Sequence, residues 1–133
     1  NRWVELRPGF ILAGVDDLRS QYRAGRSGDL IMPALSGRAP GAAILLSHTP
    51  WQAENAARAG ADLMLCAHTH GGQICLPGGI PMTLDSKCPR YMGAGAWTYH
   101  AMQGYTSAGA GTCIVPVRLN CPPEITIHQL RSV

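Results

Sequence analysis

Two short apolar runs, Ala42 to Leu46 and Leu63 to Ala67, each lead straight into a histidine, and the stretch between them, Trp51 to Ala59, carries a helical pattern. Unbroken apolar runs of this length bounded by turn signals are the pattern of buried strands. Two such strands joined by a helix form a strand–helix–strand unit, because parallel neighbours need a crossover connection. The chain is thereby constrained to an α/β fold in which both strand ends lie on one edge of a sheet. Ligands in open α/β sheets collect at that edge.

The first run ends in Ser47-His48-Thr49-Pro50 and the second in His68-Thr69-His70-Gly71-Gly72-Gln73, so three of the five histidines sit where ligands gather. Pro50 suits the first turn of the following helix, with Thr49 as its N-cap. If the second strand continued through the histidines, His68 and His70 would project to one side with Cα atoms roughly 6.5 to 7 Å apart. That spacing suits ligands of two neighbouring ions, which sit about 3.5 to 4 Å apart in two-metal phosphatases. Gly71 and Gly72 then let the backbone turn sharply and a substrate approach it. A histidine pair of this kind on its own reads as ordinary strand structure; its flanks and the parallel His48 segment make it a metal site.

These motifs resemble the calcineurin-like metallophosphoesterases. Ser47-His48-Thr49-Pro50 is similar to the family's single-histidine motif, and Ala67-His68-Thr69-His70-Gly71-Gly72-Gln73 to its closing glycine-histidine-x-histidine motif, with Ala67 in place of glycine. Gly14-Val15-Asp16-Asp17 and the segment Pro116 to Ile125 resemble a bacterial branch of membrane- or envelope-associated phosphohydrolases, so the resemblance covers nearly the whole chain. It implies a layered α/β/β/α sandwich, a phosphoester substrate and two divalent ions (Mn, Fe or Zn), with His48 and His68 holding one ion and His70 the other. The family's aspartate-x-histidine, glycine-aspartate and asparagine-histidine motifs have no counterpart here; Gly28-Asp29 lies too late in the order and reads as a loop and helix cap. Residues 1–133 are accordingly expected to be the carboxyl-terminal part of a metallophosphoesterase domain. Its amino-terminal half would be a separate chain or a missing segment, and no catalytic residue is assigned. The isolated chain is expected to be weak or inactive in metal-assisted phosphoester hydrolysis, and a non-catalytic metal-binding or assembly subunit is the alternative. A barrel amidohydrolase with a His-x-His strand is excluded by length.

Composition agrees. The chain is 46% hydrophobic and only 14% charged, against about 25% charged in an ordinary soluble domain, as expected of a surface that meets a partner. A net charge of +3 with scattered basic residues, Arg19, Arg23 and Arg26 being the one local concentration, does not indicate nucleic acid binding. No run is long enough to span a membrane, so cytoplasmic or envelope association would be decided by the missing half. The five cysteines lack metal-finger spacing and read as free thiols, a Cys75–Cys88 bridge being conceivable.

The remaining pattern predicts strands at Trp3 to Leu6 and Phe10 to Val15 and a short helix at Leu30 to Leu35. A long irregular loop follows from Leu76 to Gly95. Antiparallel strands at Gln103 to Ser107, Thr112 to Pro116 and Ile125 to Leu130 would close a second sheet. Asp16 and Asp17 read as a turn and helix start, His100 as a loop residue, and His128 as the polar face of a strand. Asn120 and Glu124 read as turn and strand-boundary residues, and Arg118 as an ion-pair or sheet-edge residue.

Overall fold

The computed structural model describes residues 1–25 and 28–131, with residues 19 and 20 described by their backbone alone. Of the basic concentration noted above, Arg26 and the Arg19 side chain therefore lie outside the described residues. The chain runs β1 (Arg2–Arg7), β2 (Phe10–Gly14), α1 (Leu18–Arg23), α2 (Ile31–Leu35), β3 (Ala42–Leu46), α3 (Ala53–Arg58) and β4 (Leu63–Cys66). It continues through a small hairpin of β5 (Cys75–Leu76) and β6 (Ile80–Pro81) to β7 (Gly95–Tyr99) and β8 (Met102–Thr106).

Six strands form one sheet in the order β1-β2-β3-β4-β8-β7. The inner four are parallel, and β1 and β7 pair antiparallel at the two edges. The alternation of the pleat sends Ile11, Ala13, Ala43, Leu45, Met64 and Cys66 to one face, where they are buried against Ile31 and Leu35 of α2 and Ala53 and Ala56 of α3. Burying each large aliphatic here is worth about 1.5–3 kcal/mol. Met92, Trp97 and Met102 extend this core to the β7 edge. Trp97 lies directly over Gly104, its partner on β8, where an added Cβ would meet the indole ring, and its Nε1 donates to Thr106 Oγ1 at 2.9 Å.

The opposite face has no helix on it among the described residues. Val4 and Leu46 remain 41% and 43% exposed there, beside half-buried Leu12, Leu63 and Leu65. No helix among the described residues is long and apolar enough to cross a membrane.

The strand–helix–strand unit forms as the sequence predicts, with one refinement. Helix α3 is entered through a 3-10 turn, Pro50–Gln52, and Thr49 holds the cap position without a side-chain cap hydrogen bond. Asp29 does cap α2, accepting from the amides of Ile31 (2.8 Å) and Met32 (3.2 Å). Strand β7, Gly95–Tyr99, begins where the anticipated loop ends, and the sequence pattern does not mark it. Two expectations fail. Residues 112–116 and 125–130 are not strands, and the sheet that β8 joins is the same sheet as β3 and β4. The alternating apolar residues of those two segments find no partner strand, and Ile114, Ile125 and Ile127 stay exposed. The carbonyls of residues 113 and 115 are taken instead by the Gln73 side chain.

Candidate metal centre

Parallel pairing of β3 with β4 in the register Leu46↔Leu65 brings the two motifs together. Ser47 N–H donates to the Leu65 carbonyl at 3.0 Å and Ala67 N–H to the His48 carbonyl at 3.1 Å, so the pairing continues past both strands into the histidines. The result is a close imidazole pair: His48 Nε2 lies 3.1 Å from His68 Nδ1, with ring centroids 4.9 Å apart. The other nitrogen of His68, Nε2, faces the Asp85 carbonyl at 2.8 Å. A carbonyl only accepts, so this contact holds the proton on Nε2 and leaves the Nδ1 lone pair pointing at His48. Trp51 packs its edge toward His68, with centroids 6.1 Å apart, and is held by its Nε1 donating to Ser86 Oγ at 2.5 Å.

His70 is placed differently. Strand β4 ends at Cys66, and both His68 (φ 72°) and His70 (φ 50°) adopt left-handed backbone, so the expected projection of the two rings from one strand face does not occur. A 3-10 turn over His70–Gly72 takes the place of that strand. Thr69 ties the turn down, its hydroxyl donating to the Gly93 carbonyl and accepting from Gly71 N–H. Gly71 and Gly72 are required: a Cβ at Gly72 would fall 2.4 Å from Pro81 Cβ, and one at Gly71 2.9 Å from Cys121 Sγ.

His70 Nδ1 is buried and has no hydrogen-bond partner. Leaving such a nitrogen unsatisfied costs about 1–3 kcal/mol, and a bound cation would recover that cost. The donor set therefore suits an ion in its chemistry: two converging imidazole nitrogens and one buried, unpartnered third. It is incomplete in number, because no group of three or more His, Cys, Asp or Glu side chains among the described residues is gathered to hold a metal. An open cavity of about 460 Å³ lies beside His48, bordered by Asp16, Val15 and Leu65. Asp16 is held there by Asn1 and Gln21, whose side-chain amides donate to its Oδ2 at 2.9 and 3.0 Å.

Arg118 was the residue whose role the sequence concealed. Its guanidinium donates to five carbonyls, those of His70, Ala108, Gly109, Gly111 and Cys121, at 2.6 to 3.3 Å. It thus pins the His70 turn to the irregular segment after β8. Glu124 anchors the next stretch, accepting from Ala108 N–H at 3.0 Å and from the Tyr105 hydroxyl at 3.1 Å. Burial pushes its carboxyl up, but these bonds and those from Ser107 and Thr126 outweigh that and hold it below the ordinary carboxylate value. His128 packs its ring on Tyr105 and His100 packs on Tyr99, both away from the imidazole pair. All five cysteines are free thiols. Burial, with Cys88 nearby, pushes the Cys66 thiol up to about 12.

The chain is similar to several curated proteins. It is 39% identical over 89 residues to phosphodiesterase YaeI of Escherichia coli, covering 65% of this chain and 32% of that protein. It is 33% identical over 126 residues to the uncharacterized metallophosphoesterase Cj0846 of Campylobacter jejuni, covering 93% and 32%. A transmembrane protein with a metallophosphoesterase domain from Danio rerio is 34% identical over 127 residues, covering 91% and 28%. This chain therefore spans about a third of the length of the curated relatives it matches. No family model and no solved structure matches it. Relatives carrying the metallophosphoesterase name at 31–36% identity, on a sheet that delivers His48 and His68 to one point, assign the family: the chain belongs to the calcineurin-like metallophosphoesterase superfamily.

Proposed function

We propose that this chain is the histidine-bearing part of a metal-dependent phosphoester hydrolase, with its carboxylate ligands supplied by an amino-terminal segment, joined or separate. The observation that carries this is the His48–His68 pair, 3.1 Å between ring nitrogens at the ends of adjacent parallel strands. In this reading His48 and His68 hold one ion and His70 the other. Imidazole donors suit Mn, Fe or Zn, and such a pair, when bound, polarises a phosphoryl oxygen and lowers the pKa of water toward neutrality. The protein's own contribution is orientation. The Asp85 carbonyl fixes the His68 tautomer, Arg118 and Thr69 fix the His70 turn, and the cavity beside His48 admits the substrate. The uncovered apolar sheet face and the shortage of carboxylates both support a second segment.

The test is metal titration and hydrolysis of an aryl phosphodiester by the 133-residue chain, alone and with the amino-terminal part of a relative supplied in trans. The chain alone is expected to be inactive. The complemented pair should bind about two ions per complex and turn over in a metal-dependent way, with His48→Asn and His68→Asn each costing at least about 100-fold, as lost ligands and their supports do. Robust hydrolysis by the chain alone would overturn the need for a second segment. Tight metal binding without turnover in the complemented pair would overturn the hydrolase reading in favour of a binding subunit.

A further inference from the structure

Behind the His70 turn two buried cysteines converge on one carbonyl. Cys75 Sγ donates to the Gly71 carbonyl at 3.3 Å, and Cys121 Sγ reaches the same oxygen at 3.6 Å and the His70 carbonyl at 3.3 Å. Together with Ala108 they form their own small buried cluster, separate from the main core. The backbones that carry them are already paired. Ile74 and Leu119 form a parallel bridge, Cys75 N–H donates to the Leu119 carbonyl at 2.9 Å, and Asn120 Nδ2 donates to the Cys75 carbonyl at 3.0 Å. The bridge sets Cys75 level with Asn120, one residue before Cys121, and the two thiols lie close enough to hydrogen-bond to each other. Cys66 and Cys88 neighbour each other at the main core and Cys113 is exposed, so none of the other three lies in this cluster behind the His70 turn.

We infer that Cys75 and Cys121 are a thiol pair that closes to a disulfide, stapling the His70–Gly72 turn to the carboxyl-terminal segment. The chemistry is two thiol–disulfide exchanges with a low-molecular-weight disulfide such as oxidised glutathione. Cys121, the less enclosed of the two and flanked by the Arg118 guanidinium at 3.5 Å, loses its proton and attacks one glutathione sulfur, releasing the first glutathione thiolate. Cys75 then gives up its proton and attacks the Cys121 sulfur of that mixed disulfide, expelling the second glutathione. Two protein thiols are oxidised by two electrons and one glutathione disulfide is reduced to two thiols. The disulfide has no S–H left to donate to the Gly71 carbonyl, so the closed pair would hold the turn that carries His70 through the covalent link from Cys75, just past Gly72, to Cys121, without touching either imidazole of the His48–His68 pair.

The experiment uses the whole chain with Cys113→Ser, which removes the exposed thiol. It is equilibrated in glutathione buffers of graded redox poise, quenched by alkylation and mapped by mass spectrometry without reduction. Cys66 and Cys75 fall in one tryptic peptide, so fragmentation must assign the link. The expected result is one dominant intramolecular link, Cys75–Cys121, with a higher Tm in oxidising than in reducing buffer. That Tm difference should vanish in Cys121→Ser, which also retains the reduced-state fold as a control. Cys75 and Cys121 alkylated separately across the whole series, or a dominant link through Cys66 or Cys88, would overturn the inference.

Discussion

Arg118 shows how one side chain can replace a missing strand. Its charge-assisted bonds to five carbonyls do locally what a sheet ladder does elsewhere, and they reach the backbone of His70 itself. Arg118→Ala would leave several carbonyls unpaired and is expected to cost about 2–4 kcal/mol in urea unfolding. Arg118→Lys should recover only part of this, since an ammonium cannot address the planar fork of acceptors. Glu124 yields a pH prediction. Its native carboxyl titrates below its unfolded value, so its stabilisation is complete above that value, about 4.3, and is lost as pH falls through the native pKa. Glu124→Gln should therefore flatten the decline of Tm on the acid side of about pH 4 while lowering Tm at neutral pH. Neither role shows in the sequence, where Arg118 and Glu124 look like any charged residues in a proline-bearing stretch. Arg118 reaches backbone carbonyls, and Glu124 a backbone amide and a tyrosine hydroxyl far along the chain, and such partners carry no sequence signal.

At the scale of elements, β3 and β4 were legible to within a residue because a strand buried on one side by helices and flanked by strands leaves a continuous apolar run. Strand β7 was hidden. It begins at Gly95 in left-handed backbone, follows a proline- and glycine-rich stretch, and faces the core through Trp97. The segments 112–116 and 125–130 erred the other way: their alternation is that of a strand, but pairing is a long-range property and no neighbour presents itself. The β7–β8 pair depends on one steric fit, Trp97 over Gly104. Gly104→Ala would put a methyl into the indole ring and is expected to cost at least about 1–3 kcal/mol. The loss of the Trp97–Thr106 hydrogen bond should be visible as a shifted indole N–H resonance.

For the molecule as a whole, a sheet with helices on one face and Val4 and Leu46 open on the other has an unfinished surface. Contiguous exposed apolar area of this kind marks an interaction site or an aggregation liability. The chain by itself is expected to bind a hydrophobic dye and to self-associate as concentration rises in sedimentation velocity. Leu46→Glu should reduce both while leaving the far-ultraviolet circular dichroism unchanged. The histidine motifs were readable from sequence because parallel strands commit their ends to one edge; the turn that seats His70 was not, since nothing in a His-x-His pattern announces left-handed backbone. That backbone also bears on how such a chain would change if its chemistry were lost. Left-handed conformations are tolerated by glycine, asparagine, aspartate and histidine and resisted by branched side chains. Release from the need for an imidazole would not open positions 68 and 70 to every residue. Substitution there would be confined to residues such as asparagine or glycine that keep the turn, whereas valine or isoleucine would oppose the backbone on which the turn is built.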